Sequence, residues 1–395
     1  MVVALGFAQI VAWGSIYYAF ALLIEPLAAA TGSSRATVVG AFSAALLAAG
    51  AVSPWIGRRI DRHGGRAVMV AGSVAAGLLL ALLGQVRTVW QLYLVWLGLG
   101  VTMAATLYDP AFAVLTQLFR DRQRQAITAL TLFGGFASTV FWPLTQWLVA
   151  GWGWQAALMV LGALNLLVSA PLQARWVPTG SARPSTPPSG ASGEPRPAPP
   201  ALRRDPRFWS LCAAFTGNAL VFSAMSVHLI PLLHAKGLTL AAAAWVGAMI
   251  GPMQVAGRLA EFTLLRRASA ARVGLFATAL LPLSLLVFAV LQGPAVWFLL
   301  FALLYGAANG VMTIVRGAMP RELYGDTHYG AVNGAMALPV LLAKAAGPMA
   351  AALLMQAAAT PAQVVTAMAV VGAVSVGLFA WAARASHLRG AARGV

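Results

Sequence analysis

The chain of 395 residues is 60% hydrophobic and only 9% charged, and its net charge is +17. Soluble domains carry about 25% charged residues, so this composition and a mean hydropathy of +0.81 exclude a soluble globular domain. The basic excess is no nucleic-acid surface either, because it falls in short clusters between apolar runs of helix length, which is the pattern of membrane topology.

A spanning helix needs about 20 apolar residues. Twelve runs qualify, at roughly 3–29, 35–56, 67–86, 89–118, 125–149, 154–174, 207–233, 240–264, 272–291, 295–319, 329–357 and 362–383. They are continuously apolar rather than alternating, which favours helices over a barrel. The expected fold is all-α and integral to the membrane. The opening "MVVALGFAQIVAWG" has no basic n-region and no separable cleavage site, so it reads as the first span rather than a signal peptide. Gln9, Trp13 and Tyr17 lie on one stripe of that span. Amides and aromatic hydroxyls suit a small carboxylate ligand, so these three are candidate substrate contacts; packing between helices is their commoner use.

Between spans two and three runs the basic stretch "GRRIDRHGGR". Span four carries Asp109 followed by Pro110. Thr102, Thr106 and Asp109 share one face by helical spacing, and the proline frees a backbone carbonyl. Asp109 reads as a proton acceptor, a counter-charge for an empty site, or half of a fixed salt bridge. Trp152 and Trp154, in an outer loop, read as interface anchors. Residues 177–206 are rich in Pro, Ser and Gly and read as a disordered cytoplasmic linker. They divide the chain into a six-helix bundle over 1–176 and a second over 207–395 with a short tail. A weak internal echo, "GRRID" at 57–61 against "GRLAE" at 257–261, accompanies the two halves.

With both termini cytoplasmic, the outer loops hold only Arg35, Arg87 and Lys236 as basic residues, and the inner loops hold most of the rest. That asymmetry fixes the orientation. The expected location is a bacterial inner membrane.

Charges at bilayer depth cost about 2.5–3.5 kcal/mol each on insertion scales and so need a partner, water or a substrate. Four are expected there: Asp109, Arg258 and Glu261 in span eight, and Lys344 in span eleven. Counted from the turn glycines Gly32 and Gly237, Gly257 lies about 7 Å deeper than Gly57 at 1.5 Å per residue. Helical side chains lean toward the helix N-terminus, which tilts Arg258 and Lys344 toward a common level. Together they form a candidate site for an anion: arginine supplies a planar fork for a carboxylate and lysine a point charge. The alternatives are a structural Arg258–Glu261 pair at i, i+3, and a Lys344 bonded to carbonyls or to Asp109. Asn218 and Asn309 are further candidate contacts, interhelical hydrogen bonding being their default use. Asp109 and Glu261 are the coupling candidates. No Walker lysine, metal cluster or Ser–His–Asp set is embedded, and Cys212 stands alone, so no enzyme, metal or cofactor is expected.

The stretch at 57–66 resembles the loop motif G-x-x-x-D-R-x-G-R-[RK] of the major facilitator superfamily. Gly57, Asp61, Arg62, Gly64 and Arg66 match, and Gly65 stands where the family usually has arginine. The resemblance implies twelve helices in two bundles of six, and a gating role for the five matching residues. "GPMQVAGRLAEF" resembles helix eight of the monocarboxylate and oxalate/formate transporters, whose arginine binds the substrate carboxylate; Arg258 takes that place. Lys344 takes the place of the helix-eleven lysine of the oxalate/formate type. Gln254 and Leu22 stand where the monocarboxylate branch has an acidic residue and a lysine, a departure from its proton-coupling scheme. The helix-four arginine and helix-five G-P-x-x-G-G signature of drug antiporters are replaced by Trp96 and by Phe141-Trp142-Pro143. The resemblance implies a monomeric secondary transporter of a small organic anion, with membrane lipid around it and protons as the candidate coupling ion. The alternatives are an efflux transporter for apolar, cationic or metalloid compounds, and a non-transporting receptor on the same fold.

Overall fold

The structure, a computed structural model, describes residues 1–119, 123–179, 204–264, 268–324, 329–357 and 360–391. The expected linker therefore lies almost wholly outside the described residues. Every regular element among them is helical. Among the described residues, eleven helices are long and apolar enough to cross a bilayer: Val2–Thr31, Arg35–Ile60, Arg66–Leu83, Val89–Leu115, Gln125–Trp176, Pro206–Ala235, Leu240–Glu261, Ala270–Val290, Ala295–Tyr324, Ala335–Gln356 and Pro361–Arg384. The expectation was twelve. The difference lies in Gln125–Trp176, whose 52 residues would extend about 78 Å if straight, against a hydrocarbon core of about 30 Å. It is not straight. Gly153, at φ 81° and ψ 164°, is non-helical and falls between the stretches expected as spans five and six.

In hydrocarbon every backbone group must be satisfied within the segment, so the helix starts are where side chains are needed. Ser34 Oγ accepts the Thr37 amide at 3.1 Å. Thr239 Oγ1 accepts that of Ala242 at 3.2 Å, and Thr88 forms a capping box with Gln91. The outer surface reads as a lipid-facing one. Phe7, Leu78, Leu82, Leu94, Leu167 and Val290 are all exposed, far more apolar area than a soluble monomer shows. Exposed Trp90, Trp147, Trp152, Trp245 and Trp297, with Trp55, Trp176, Trp209 and Trp381, cluster near span ends, as interfacial tryptophans do.

The chain divides into two compact units, Met1–Pro187 with Ser226–Gly251, and Pro188–Met225 with Pro252–Val395. Each contains the same close helix crossing. In the first unit a Cβ added to Gly100 would collide with the Ala45 carbonyl; in the second, one added to Gly310 would collide with the Gln254 carbonyl. Small residues at such points let backbones touch, the packing device of membrane helices. This matched pair sets the register of the internal repeat and corrects the echo read from sequence. Arg258, four residues past Gln254, corresponds to Ala49, four past Ala45; Arg58, its partner in the echo, lies nine residues beyond Ala49. Nine residues of helix are about 14 Å. "GRLAE" and "GRRID" are therefore not equivalent, and Arg258 sits deeper along its helix than the echo implied.

Candidate functional site

In the second unit the site grows from a glycine. A Cβ on Gly257 would meet the Ala307 backbone at 2.8 Å, so only glycine lets the Leu240–Glu261 span press against Ala295–Tyr324. That contact delivers the next residue, Arg258, into the interface. Arg258 is 9% exposed. Its Nε donates to the Gly310 carbonyl at 3.4 Å and its Nη2 to Thr313 Oγ1 at 3.5 Å. Both contacts are long for such hydrogen bonds. Thr313 Oγ1 in turn donates to the Asn309 carbonyl at 2.9 Å, so half-buried Asn309 belongs to the same neighbourhood through its backbone. Glu261, half-buried, follows one turn after Arg258. Asn218 is buried; its Nδ2 donates to the Ala214 carbonyl at 2.9 Å, and its Oδ1 has no hydrogen-bond partner among the described residues.

Lys344 lies on the Ala335–Gln356 span and is exposed. Its carbonyl accepts Ser223 Oγ at 2.5 Å, which ties this turn to the Pro206–Ala235 helix. The span has two exposed faces. Leu338, Leu342 and Leu353 form the first. At 100° per residue, Leu342 and Leu353 stand about 160° and about 180° from Lys344. The second face carries Lys344 and Ala337. Lys344 thus points away from the leucines that suit lipid.

In the first unit the fourth span is broken ahead of Asp109. Leu107 has φ −77° and ψ −155°, and Pro110 has no N–H to offer the Thr106 carbonyl. Gln9 fills the vacancy: its Nε2 donates to the Thr106 carbonyl at 2.7 Å and to that of Leu107 at 3.2 Å. Gln9, expected as a substrate contact, is fully buried with its amide nitrogen committed to this break. The break also divides the expected face of Thr102, Thr106 and Asp109. Both threonines are buried and donate back to their own helix at 2.7 Å, whereas Asp109 is exposed in the first turn of the helix Tyr108–Leu118. A helix N-terminus stabilises a carboxylate. No ion pair to Asp109 occurs among the described residues. Gln9→Leu is expected to leave the Thr106 carbonyl buried and unpaired, a loss of about 1–3 kcal/mol, read as a lower unfolding midpoint in detergent. Adding Pro110→Ala, which restores an N–H, is expected to recover most of it.

Trp13 and Tyr17 belong to a π-helical turn, Trp13–Tyr18. Trp13 stands 5.2 Å edge-on from Tyr17 and 5.0 Å from Tyr108 between ring centroids. The Tyr17 hydroxyl shares a 3.0 Å hydrogen bond with Ser226 Oγ. Trp13 Nε1 is buried without a hydrogen-bond partner among the described residues. Sequence reasoning missed Tyr18, Tyr108 and the π turn, because no residue pattern in "WGSIYY" announces i+5 bonding. It also missed Glu322, whose carboxylate accepts the Ala270 amide at 2.7 Å and so caps the helix Ala270–Val290.

In the loop motif, Gly57 lies in the helix Arg35–His63 and Arg62 in its last turn. Gly64 ends that helix at φ 82° and Arg66 begins the next. The Asp61 side chain lies outside the described residues. The departure at Gly65 has a steric reason: a Cβ there would collide with Val114 Cγ2. Gly65→Arg, which restores the usual family residue, is expected to cost about 1–3 kcal/mol by overpacking. Gly65→Arg with Val114→Ala is expected to regain most of that in a thermal unfolding assay.

The sequence profile of the Major Facilitator Superfamily matches residues 5–294. Monocarboxylate transporter 11 of Mus musculus is 32% identical over 119 residues, which cover 29% of this chain and 26% of that protein. Monocarboxylate transporter 13 of Rattus norvegicus is 35% identical over 105 residues, which cover 26% of this chain and 24% of that protein. The matched part thus spans about a quarter of these curated relatives. Among solved structures, the nucleoside transporter NupG superposes with a TM-score of 0.76 at 15% identity over 96% of this chain and 97% of that one. A bacterial homologue of the human lysosomal transporter Spinster, inward-facing and unoccupied, gives 0.73 at 16% identity over 98% and 97%. At such identities the two superpositions establish the fold alone.

Proposed function

We propose that this chain, which belongs to the major facilitator superfamily and is an integral multi-pass membrane transporter, moves a small organic anion, a carboxylate, by alternating access. The observation that carries the reading is Arg258, buried within a membrane span beside the Gly310 carbonyl and Thr313. A guanidinium at such depth is costly and is retained where it is used. Its fork matches a carboxylate. Lys344 on the non-leucine face of its span supplies a second positive charge, and the similarity to monocarboxylate transporters supports the same substrate class. Asp109, exposed at a helix start, is the better candidate for carrying a coupled proton; Glu261 is the second, with Arg258 one turn away to neutralise it. The charge asymmetry of the loops favours cytoplasmic termini in a bacterial plasma membrane.

Efflux of cationic, apolar or metalloid compounds is the competing reading, and cations are disfavoured by two positive groups. Uptake into proteoliposomes separates the two. Labelled carboxylates are expected to accumulate and labelled organic cations to stay out. Uptake of cations alone would reject the anion reading. In the loop motif, Asp61→Asn is expected to slow flux at least tenfold while substrate affinity stays within about threefold, because the residue acts at a helix end that re-pairs between states (a free-energy change near 1.4 kcal/mol on the barrier). Lost affinity with normal turnover would exclude a gating role.

A further inference from the structure

We infer that the outward face of the second span, from Leu47 to Arg62, binds an anionic phospholipid, with an acyl chain along its apolar half and the phosphate on its arginines. The inference is independent of what the protein transports. In the helix Arg35–His63, Leu47, Ala51, Trp55, Arg58 and Arg62 are all exposed. At 100° per residue they fall within an arc of about 80°. Ile56 and Ile60, on the opposite side, are 5% and 0% exposed and share a buried cluster of the first unit with Met69 and Val114. The helix thus keeps one inward and one outward face down to its last turn.

The outward face changes chemistry along its length. Leu47 and Ala51 suit an acyl chain, and Trp55, 58% exposed, suits the interface. Arg58 and Arg62 follow one and two turns later. The stretch from Leu47 to Arg62 rises about 22 Å, which is half of a bilayer of about 40–45 Å with its headgroups. One lipid of that leaflet therefore reaches from end to end of the stripe. Water covers only the arginine end; a phospholipid satisfies both.

The sign of the headgroup follows from charge. Residues 57–66 carry Arg58, Arg59, Arg62 and Arg66 against a single acid, Asp61. Among the described residues no carboxylate pairs with Arg58, Arg59 or Arg62, and Arg59 Nη1 lies 3.4 Å from the His63 ring nitrogens. Arg58 and Arg62 are one turn apart on the same face, with Cβ atoms about 6 Å from each other, a spacing that one phosphate bridges. Their planar forks match its oxygens. Each arginine near a membrane surface favours anionic lipid by about fivefold. Exposed Trp90 offers a comparison at another span end, with the single exposed Arg87 three residues before it.

The test uses the full chain in mixed vesicles of phosphatidylglycerol and phosphatidylcholine, one of the two carrying brominated acyl chains that quench tryptophan. The signal of Trp55 is the difference between each chain and the same chain with Trp55→Phe. Brominated phosphatidylglycerol is expected to quench Trp55 at least about fivefold more effectively than brominated phosphatidylcholine. Arg58→Gln with Arg62→Gln is expected to bring that ratio below about twofold at an unchanged unfolding midpoint, and Arg87→Gln to leave it intact. Arg58→Gln alone is expected to lower the ratio at least about twofold, and it decides the matter if the double variant does not insert. A ratio near one in the unmodified chain, a ratio that survives the arginine substitutions, or an equal fall in Arg87→Gln overturns the inference. Glycerol 3-phosphate in solution is expected to leave the preference in place. If it abolishes the preference, the arginines serve a soluble phosphate and the lipid assignment falls.

Discussion

Arg258→Gln is expected to remove carboxylate binding and with it transport. A charge-assisted hydrogen bond contributes about 1.5–3 kcal/mol, so the dissociation constant should rise roughly tenfold to more than a hundredfold. Arg258→Lys is expected to fail nearly as badly, because an ammonium keeps the charge and loses the planar fork. A purely structural arginine predicts otherwise. Arg258 donates to the Gly310 carbonyl and to Thr313, and if fastening these helices were its whole role, both variants would lower the unfolding midpoint and leave affinity intact. Calorimetric binding measured beside thermal unfolding separates the two cases.

Lys344→Ala is expected to weaken binding by a comparable factor, again about 1.5–3 kcal/mol for a lost charge-assisted contact, and Lys344→Arg to be partly tolerated, since a point charge demands less geometry. The rival is a lysine that only neutralises Asp109. It makes a different forecast: Lys344→Ala leaves a carboxylate uncompensated, and adding Asp109→Asn restores activity. Flux in the single and double variants decides. Recovery in the double variant would remove Lys344 from the substrate site, and continued inactivity with normal insertion would keep it there.

The membrane character was legible in the sequence because the solvent there is hydrocarbon, and hydrocarbon imposes one long apolar run per crossing. Even the break at Gly153 was anticipated as a loop between two runs, although the helix is nominally continuous across it. The steric details were hidden because they depend on pairs of helices. "GRRID" and "GRLAE" look alike in one dimension, but the Gly100–Ala45 and Gly310–Gln254 crossings set them about 14 Å apart along the repeat. Gly65 reads as a departure from a motif until Val114 is found against it. Gln9 shared a stripe with Trp13 and Tyr17, yet the carbonyl it bonds was freed by a proline about a hundred positions away, and only the fold brings the two together. Arg258 and Lys344 stood out because charge is scarce in this chain, and that scarcity is a signal needing no neighbour.

Recognition of the substrate by its negative charge is the central expectation for this transporter. The most direct measurement is equilibrium binding of a carboxylic acid, ionised at pH 7, beside that of its primary amide, which has nearly the same shape and no charge. The carboxylate is expected to bind at least about a hundredfold tighter, the sum of two charge-assisted contacts at 1.5–3 kcal/mol each less the cost of desolvating the anion. That margin is expected to shrink to a few-fold in Arg258→Gln. Equal affinity for acid and amide in the unmodified protein would contradict recognition by charge.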